Sequence, residues 1–588
     1  MFRGFGRLKS TLLFVLRMKR KLDLISDGPS LKPGMRAISL NPREKQFKGL
    51  LLDVARSIHD KAKVEAAAVA VGSAAESEPV VLRWAGGWVR DKLLGIESHD
   101  IDVAINSMTG EAFTSHLVEF CADPANVERH GVTPGDIGNL HKIAANPDKS
   151  KHLETVATRM FGIEVDFVNL RKETYAQDSR NPQMEFGTAK EDALRRDATV
   201  NALFYNINTD EIEDFVGGML DLERKLIRTP LEPLQTFTDD PLRVLRLVRF
   251  ASRLGFSIDP AAEETMSKPA VLEALRLKIS RERVGIEVDK MLKGKHPRDS
   301  LHLIERLRLY GAVFTDPTRG QEGVPTPDIS RWAAAYECMH HLAGNRTPGS
   351  IYNVLVRTEE DAAFGWTIAA LLPWEALPAA EVPTKGTHTL PLATLAAREG
   401  IRAGNKLCDI VTAMHRNRAQ IEDLKRAVCA GEARARQRDL MGMAVRAWDT
   451  RTGNWRLQVL GVALLEIMQR SDTGDSAQSK DSALDTQSGQ PLGNPAARDE
   501  VLAGWQKFLD HLDELDVLEA PSFKRLVDGK MLSKALGVKP GKWMTPAMDV
   551  CMEWQLRNPG VTDTVGAIDE VRKRADELGI VGVAKANC

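Results

Sequence analysis

A strand-like apolar run, PVVLRWAGG, passes through Gly86 and Gly87 straight into the amphipathic stretch WVRDKLLG, and ten residues after Arg90 the strand-like DIDVAI carries Asp100 and Asp102. A glycine hinge followed by two acids on one strand constrains the fold more than any other feature of the chain. Side chains alternate across a strand, so Asp100 and Asp102 share a face. Two neighbouring carboxylates repel, which is costly unless a divalent cation lies between them. Such hard oxygen ligands suit Mg²⁺ carrying a nucleoside triphosphate; the alternative is a polar strand edge in water. The two glycines let the backbone approach a phosphate, the helix N-terminus adds partial positive charge, and Arg90 offers a fork of donors. A tight strand-to-helix turn needs glycine anyway, so the rest of the chain decides.

A third acid, Asp166, falls in IEVDFVNL, where alternation sets Glu164, Asp166 and Val168 opposite Ile163, Val165 and Phe167. Glu164 is its local competitor for a place beside the aspartate pair. In Arg195-Arg196-Asp197-Ala-Thr-Val-Asn201 a helical turn puts Asp197 and Asn201 on one face, an acceptor and an amide suited to ribose hydroxyls, with Arg196 placed for a phosphate. A helix cap with a surface ion pair is the competing reading. Asp239 and Asp240 precede Arg243, Arg246, Arg249 and Arg253, and no further acid occurs until Asp259. At 100° per residue the four arginines form one stripe, with Val244, Leu245, Leu247, Val248, Phe250 and Leu254 mostly on the other side. A solvated helix face usually mixes signs, so this stripe reads as an anion-binding surface.

From about 46 to 230 strand-like and helix-like stretches alternate; from 231 onward the pattern is helical, which predicts an α+β chain. The first 22 residues carry seven Lys or Arg and no acid, with apolar residues interleaved, as in a mitochondrial presequence; the alternative is a basic, disordered N-terminus. Met18 and Met35 would serve as internal starts for a second form in the cytosol or nucleus. Residues 471–500 contain no aromatic residue and read as a flexible linker or insertion. The 588 residues balance 80 Lys+Arg against 81 Asp+Glu, which excludes a histone-like polycation. Locally, 240–298 has 13 basic against 8 acidic residues and 402–438 has 9 against 4; these are candidate RNA-backbone contacts or ordinary basic helix surfaces. Six dispersed cysteines fit a reducing compartment, and no apolar run approaches the roughly 18–20 residues of a membrane span, so a soluble protein is expected.

In this order, GGWVRD with DID, RRDATVNA, DFVGGMLDL, DDPLRVLRLVRFASRLGF and KISRERVGIEVDKML resemble the class II tRNA nucleotidyltransferases, the CCA-adding enzymes that share ancestry with bacterial poly(A) polymerases. The wording PLEPLQTFTDDPLRVLR looks most like the fungal and plant enzymes. The resemblance covers roughly 46–310, with a second patch from LVDGKMLSKALGVKPGKWM to EWQLRNP. Asp239 departs from the Glu usual in bacterial members. The resemblance implies an N-terminal nucleotidyltransferase domain with a mixed β-sheet and helices, followed by all-helical neck, body and tail domains. The expected boundaries are 1–45 (targeting or disordered), 46–230 (catalytic), 231–310 (neck), 311–470 (body), 471–500 (linker) and 501–588 (tail).

It further implies that Gly86, Gly87 and Arg90 hold the triphosphate and that Asp100 and Asp102 bind two Mg²⁺, with Asp166 as a further catalytic acid. One ion would activate the RNA 3′-hydroxyl and the other would ease pyrophosphate departure. Arg196 matches a nucleotide-binding arginine, Asp197 and Asn201 the ribose-reading pair, Asp240 and Arg243 the base-reading pair, and Arg246 and Arg249 further nucleotide contacts. An acceptor beside a donor complements both cytosine and adenine, whose amino group flanks a ring-nitrogen acceptor, and rejects uracil and guanine. The implied substrates are CTP, ATP and the acceptor stem and T-arm of tRNA, with Lys539, Lys542 and Trp543 as tail contacts or, for Trp543, as a packed core residue. Kept beside CCA addition are a poly(A) polymerase, a partial CC- or A-adding enzyme, and a non-catalytic tRNA-binding protein.

Overall fold

In a computed structural model the chain is described over residues 38–68, 78–137, 141–143, 155–174, 183–316, 325–377, 382–383, 389–470 and 495–581. It divides into two compact units, one ending at Ile279 and one beginning at Ser280, so the segment 231–310 is shared between them. The basic N-terminal stretch and residues 471–494 of the expected linker lie outside the described residues. Residues 495–500 do not belong to a linker: they open the helix Pro495–Glu514. Proline suits the first helical turn, and the Ala, Arg and Glu that follow are good helix formers.

The first unit is built on a seven-stranded mixed sheet of order β3-β4-β5-β2-β1-β8-β9, comprising β1 (Leu82–Ala85), β2 (Asp100–Ile105), β3 (His141–Ile143), β4 (Thr155–Met160), β5 (Ile163–Asn169), β8 (Phe204–Asn206) and β9 (Glu211–Glu213). Only β2 and β5 run parallel; the other neighbours are antiparallel. A separate hairpin joins β6 (Arg171–Thr174) to β7 (Gln183–Phe186). Helix α1 (Pro42–Ala68) is fixed to the sheet by aromatic packing: Phe47 stacks on Trp84 with ring centroids 5.8 Å apart, and Trp84 meets Trp88 edge-on at 4.7 Å. These rings are buried, and truncating such a residue costs roughly 3–5 kcal/mol.

The helix following β1 is α2 (Gly87–Leu93), and α3 (Gly110–Phe120) lies against β5. Thr109 caps α3 by accepting from the Ala112 N–H at 3.2 Å. A Cβ at Gly110 would lie 2.4 Å from the Phe167 carbonyl oxygen, so α3 approaches β5 backbone to backbone. Toward the end of the unit come α4 (Ala189–Leu194), which packs on β6, and α5 (Arg243–Leu254). Residues 231–279 are helical except for Ser257–Ile258, which pairs in parallel with Leu226–Ile227.

The second unit is helical apart from the two-residue strands Val382–Pro383 and Thr389–Leu390. At its start, Arg281 is buried and donates to three carbonyls, those of Gly400 at 2.6 Å, Ala312 at 3.0 Å and Val313. Five cysteines in the described residues are unpaired. Among the described residues no helix is long and apolar enough to cross a membrane.

Gly110→Ala is expected to destabilise the first unit by about 1–3 kcal/mol through overpacking against β5. Gly49→Ala in α1, where an added Cβ meets nothing within 4 Å, should be neutral or slightly stabilising. Chemical denaturation of the two variants checks the difference.

Candidate active site

The chain leaves β1 at Gly86, whose φ of 71° and ψ of −129° are accessible essentially to glycine alone. A side chain here would be blocked as well, because a Cβ would lie 2.9 Å from Arg196 Nη1 and 3.6 Å from Asp102 Oδ2. The Gly86 hinge therefore sits beside an acid and a guanidinium brought from distant parts of the sequence. Register does the same for the acids: Asp102 is flanked by Ala85 on β1 and by Asp166 on β5, while Asp100 faces Glu164. Glu164 is exposed and pairs with Arg159 at 3.5 Å, leaving Asp166 as the acid beside Asp102. Asp100 is also exposed and accepts from Ser98 Oγ at 3.2 Å.

Burial pushes the Asp102 carboxyl up to about 6, with Asp166 and Asp100 adding to the shift against the pull of Arg196. Asp166 is raised in the same way, by burial and then by Asp100 and Glu164. Such a carboxylate is poorly compensated by protein alone, and a hard cation between the strands fits it. Among the described residues no three His, Cys, Asp or Glu side chains are gathered tightly enough to enclose an ion.

Helix α4 begins in a capping box between Thr188 and Glu191. Asp192 in its first turn holds Arg195 at 2.6 Å and Arg196 at 2.9 Å, aligning two arginines from behind. The chain does not then continue as the single helical turn expected from the sequence. Ala198 is extended (φ −136°) and a 3₁₀ turn follows over Thr199–Asn201. Asn201 Nδ2 nevertheless reaches Asp197 Oδ1 at 3.2 Å, and both side chains are buried, at 8% and 7% exposure. A buried pair is not a surface cap. The DFVGGMLDL stretch holds the turn: Asp214 accepts four successive N–H groups from Val216 to Met219, and Asp221 accepts from Thr199 Oγ1 at 2.5 Å and Arg228 Nε at 2.9 Å.

Arg90 is 3% exposed, and its donors go to Asp91 (2.8 and 2.7 Å) and to Asn201 Oδ1. It thus braces the Asn201 amide, in contrast to the open fork expected from the sequence. On α5, Arg246 pairs with Asp197 Oδ2 (2.6 Å from Nε, 2.5 Å from Nη2), and Arg253 reaches Asp91 at 3.2 Å. Burial opposes the Asp197 charge, but Arg246, the Asn201 amide and Arg243 bring its carboxyl down to about 2. Arg243 is 7% exposed and donates to the Arg195 carbonyl at 2.7 Å. Asp240 accepts from the Leu242 N–H at 3.1 Å just ahead of α5. Phe250 belongs with the arginines: the guanidiniums of Arg249, Arg246 and Arg90 lie 4.4, 5.4 and 5.9 Å from its ring centre.

The structure thus gathers Gly86, Asp102, Asp166, Arg196, Asp197, Asn201, Arg90, Arg243 and Arg246 in one connected region of the first unit, with Gly87 at the first position of α2 and Asp100 at the start of β2. Sequence reasoning missed Asp91, Asp192, Glu173 and Phe250. Asp192 had a visible signal, lying three and four residues before Arg195 and Arg196 on a helix. Glu173 had none, because its partner Arg243 is remote in the chain.

Within the second unit, much of the basic excess at 402–438 is tied down. Lys406 pairs with Glu360, Arg418 with Glu422, Lys425 with Glu466, Arg434 with Asp423 and Arg438 with Asp516. Trp543 is packed into the C-terminal core and donates to the Lys539 carbonyl at 3.1 Å. Lys524, Lys530, Lys534, Lys539 and Lys542 are exposed and form no ion pair among the described residues.

Residues 82–228 match the family described as the poly A polymerase head domain, and residues 255–318 the one described as the probable RNA and SrmB-binding site of polymerase A. The chain is 53% identical to nucleotidyltransferase lcsQ of Purpureocillium lilacinum, across 96% of this chain and 98% of that protein. It is 37% identical to the Candida glabrata protein named CCA tRNA nucleotidyltransferase, mitochondrial, across 83% of this chain and 89% of that one. The fold matches a solved CCA-adding enzyme, apo form II, with a TM-score of 0.57 at 16% identity, covering 91% of this chain and 96% of that chain. With relatives this similar over nearly their full length, the chain belongs to the class II CCA tRNA nucleotidyltransferase/poly(A) polymerase family.

Proposed function

We propose that the chain completes the 3′ end of tRNA, adding C, C and A from CTP and ATP with release of pyrophosphate. The observation that carries this reading is the junction at Gly86, where the absence of a side chain lets the Arg196 guanidinium and the Asp102 carboxylate close on the backbone together. Asp100 and Asp102 would hold Mg²⁺, which when bound supplies Lewis acidity to the α-phosphate and to the attacking 3′-hydroxyl. Arg196, braced by Asp192, faces the phosphates. Asp197 and Asn201 present to the ribose an acceptor and an amide already locked by Arg246 and Arg90, so little ordering is left for the substrate to drive. Asp240 and Arg243 supply the acceptor and donor that match cytosine and adenine, while Arg249 adds positive charge on the same helix. Uracil and guanine would face these groups with mismatched polarity and leave them unpaired, which gives strong rejection.

The exposed tail lysines fit an RNA backbone, which is recognised largely through phosphates and shape. We also assign the chain to the mitochondrion, with a second pool in the cytoplasm or nucleus, on the composition of its first 22 residues and its internal methionines; the Candida glabrata relative carries a mitochondrial name.

Incubating the protein with tRNA lacking its 3′ end and with CTP, ATP or both should give CC with CTP alone and CCA with the mixture. Long A-tracts from ATP alone would assign poly(A) synthesis instead. Asp100→Ala should lower incorporation at least about a hundredfold with tRNA binding nearly unchanged. Replacing Lys539 and Lys542 by Gln should raise KM for tRNA, leave kcat unchanged and reduce the salt slope of tRNA binding by roughly 2.

Asp102 titrates at about 6 in the fold against an ordinary 3.8. The folded state therefore binds this proton more tightly, and that contribution to stability, full below about 3.8, is lost as pH rises through 6. Asp102→Asn should raise the unfolding free energy of the metal-free protein at pH 8 by about 1–3 kcal/mol, measured by chemical denaturation, and change it little at pH 4. In the unmodified protein, Mg²⁺ affinity should rise about fivefold from pH 5 to 6 and flatten above 7, as measured by titration calorimetry.

A further inference from the structure

Arg243 is held from behind by two groups. Its Nη2 donates to the Arg195 carbonyl at 2.7 Å and lies 3.8 Å from Glu173 Oε2. Glu173 stands on β6, in the hairpin outside the main sheet, and its side chain is 6% exposed. Its other oxygen accepts from Arg171 Nε at 3.1 Å and Arg195 Nη1 at 3.2 Å. One buried carboxylate thus gathers guanidiniums from β6, from the turn after α4 and from the first turn of α5. Arg195 contributes twice, by side chain to Glu173 and by carbonyl to Arg243.

A guanidinium has five donors in a rigid fork, so the donors occupied behind it determine which remain in front and at what angle. Asp239 also lies near Arg243. Burial raises its carboxyl, the pull of Arg243 opposes this, and the Glu173 charge adds to it. We propose that Glu173 is a positioning residue that sets base selectivity, fixing the plane in which Arg243 meets the incoming nucleobase. This inference rests on the base-reading assignment of Arg243 made above. Rejection of uracil and guanine depends on donors that cannot rotate to suit them. With the carboxylate removed, Arg243 keeps the Arg195 carbonyl but loses the buried charge that faces the same Nη2.

The test uses the full-length protein, tRNA ending before CCA or before the final A, and each of the four nucleotides singly. For Glu173→Gln, the kcat/KM preference for CTP over UTP and for ATP over GTP should fall roughly tenfold as the buried ion pair is lost. Its kcat for the correct nucleotide should stay within about threefold, since Glu173 does not touch the reacting atoms. Glu173→Asp keeps the charge one methylene further back and should lose less selectivity; it also carries the test if Glu173→Gln does not fold. In an Arg243→Gln background Glu173→Gln should cause no further loss. If Arg243→Gln abolishes selectivity while both Glu173 variants retain it, the Glu173 role is overturned and base reading by Arg243 stands. If Arg243→Gln itself retains selectivity, the base-reading assignment fails. A parallel fall in unfolding midpoint and in kcat for all four nucleotides would make Glu173 merely structural.

Discussion

A carboxylate held between strands, with two more acids nearby and one guanidinium within reach, is the constraint around which the first unit is arranged. The parallel register of β2 and β5 sets Asp102 directly beside Asp166, and the β1 neighbour at that level is Ala85, the last residue before the Gly86 hinge. Burial and mutual repulsion hold the Asp102 carboxyl near 6. An arrangement that costs stability in the empty protein persists only where the surroundings leave the chain no alternative. Here the alternative is closed by α3, whose backbone packs against β5, and by the aromatic cluster that clamps α1 onto β1.

Three buried acids elsewhere in the region are compensated. Asp197 has Arg246 and Asn201, Asp91 has Arg90 and Arg253, and Asp192 has Arg195 and Arg196. The contrast has chemical meaning. A carboxylate with its guanidinium already in place is a fixed structural charge, whereas at Asp102 burial and the neighbouring acids outweigh the pull of Arg196. The compensated acids orient arginines, and the arginines in turn orient Asn201 and the groups in front of them. Removing one partner of such a buried pair leaves an uncompensated charge, so these positions tolerate substitution poorly.

The strand and helix content of this region was legible because its signals are local. Period-two alternation placed Asp100, Asp102 and Asp166 correctly on their strand faces, and the burial pattern of β5 follows it residue by residue. Glycines at 86 and 87 marked the strand-to-helix turn. The four-residue spacing of Asp197 and Asn201 brought the pair together, but through an extended residue and a 3₁₀ turn, since the Asp214 and Asp221 contacts that shape this turn come from further along the chain. What could not be read were partners distant in sequence: Arg90 with Asn201, Arg253 with Asp91, and Glu173 with Arg243. Periodicity assigns a face but carries no information about which charge will lie across from it. For the same reason Arg90 looked like an open donor fork and is in fact a buried brace.

The same distinction reinterprets the basic stretches. A local excess of positive charge is a binding surface only where no acid reaches it. The excess at 402–438 is largely tied to acids, several supplied by neighbouring helices, and those charges lock helices together. Residues 520–545 hold six Lys or Arg and one acid, and their five lysines point to solvent with no ion pair among the described residues. An unpaired lysine costs nothing to bring to a phosphate, whereas a paired one must first give up its carboxylate. Overall charge, close to zero here, therefore says little about polyanion binding. In the second unit, exposed lysines that form no ion pair among the described residues surround the C-terminal core, where Trp543 packs inward.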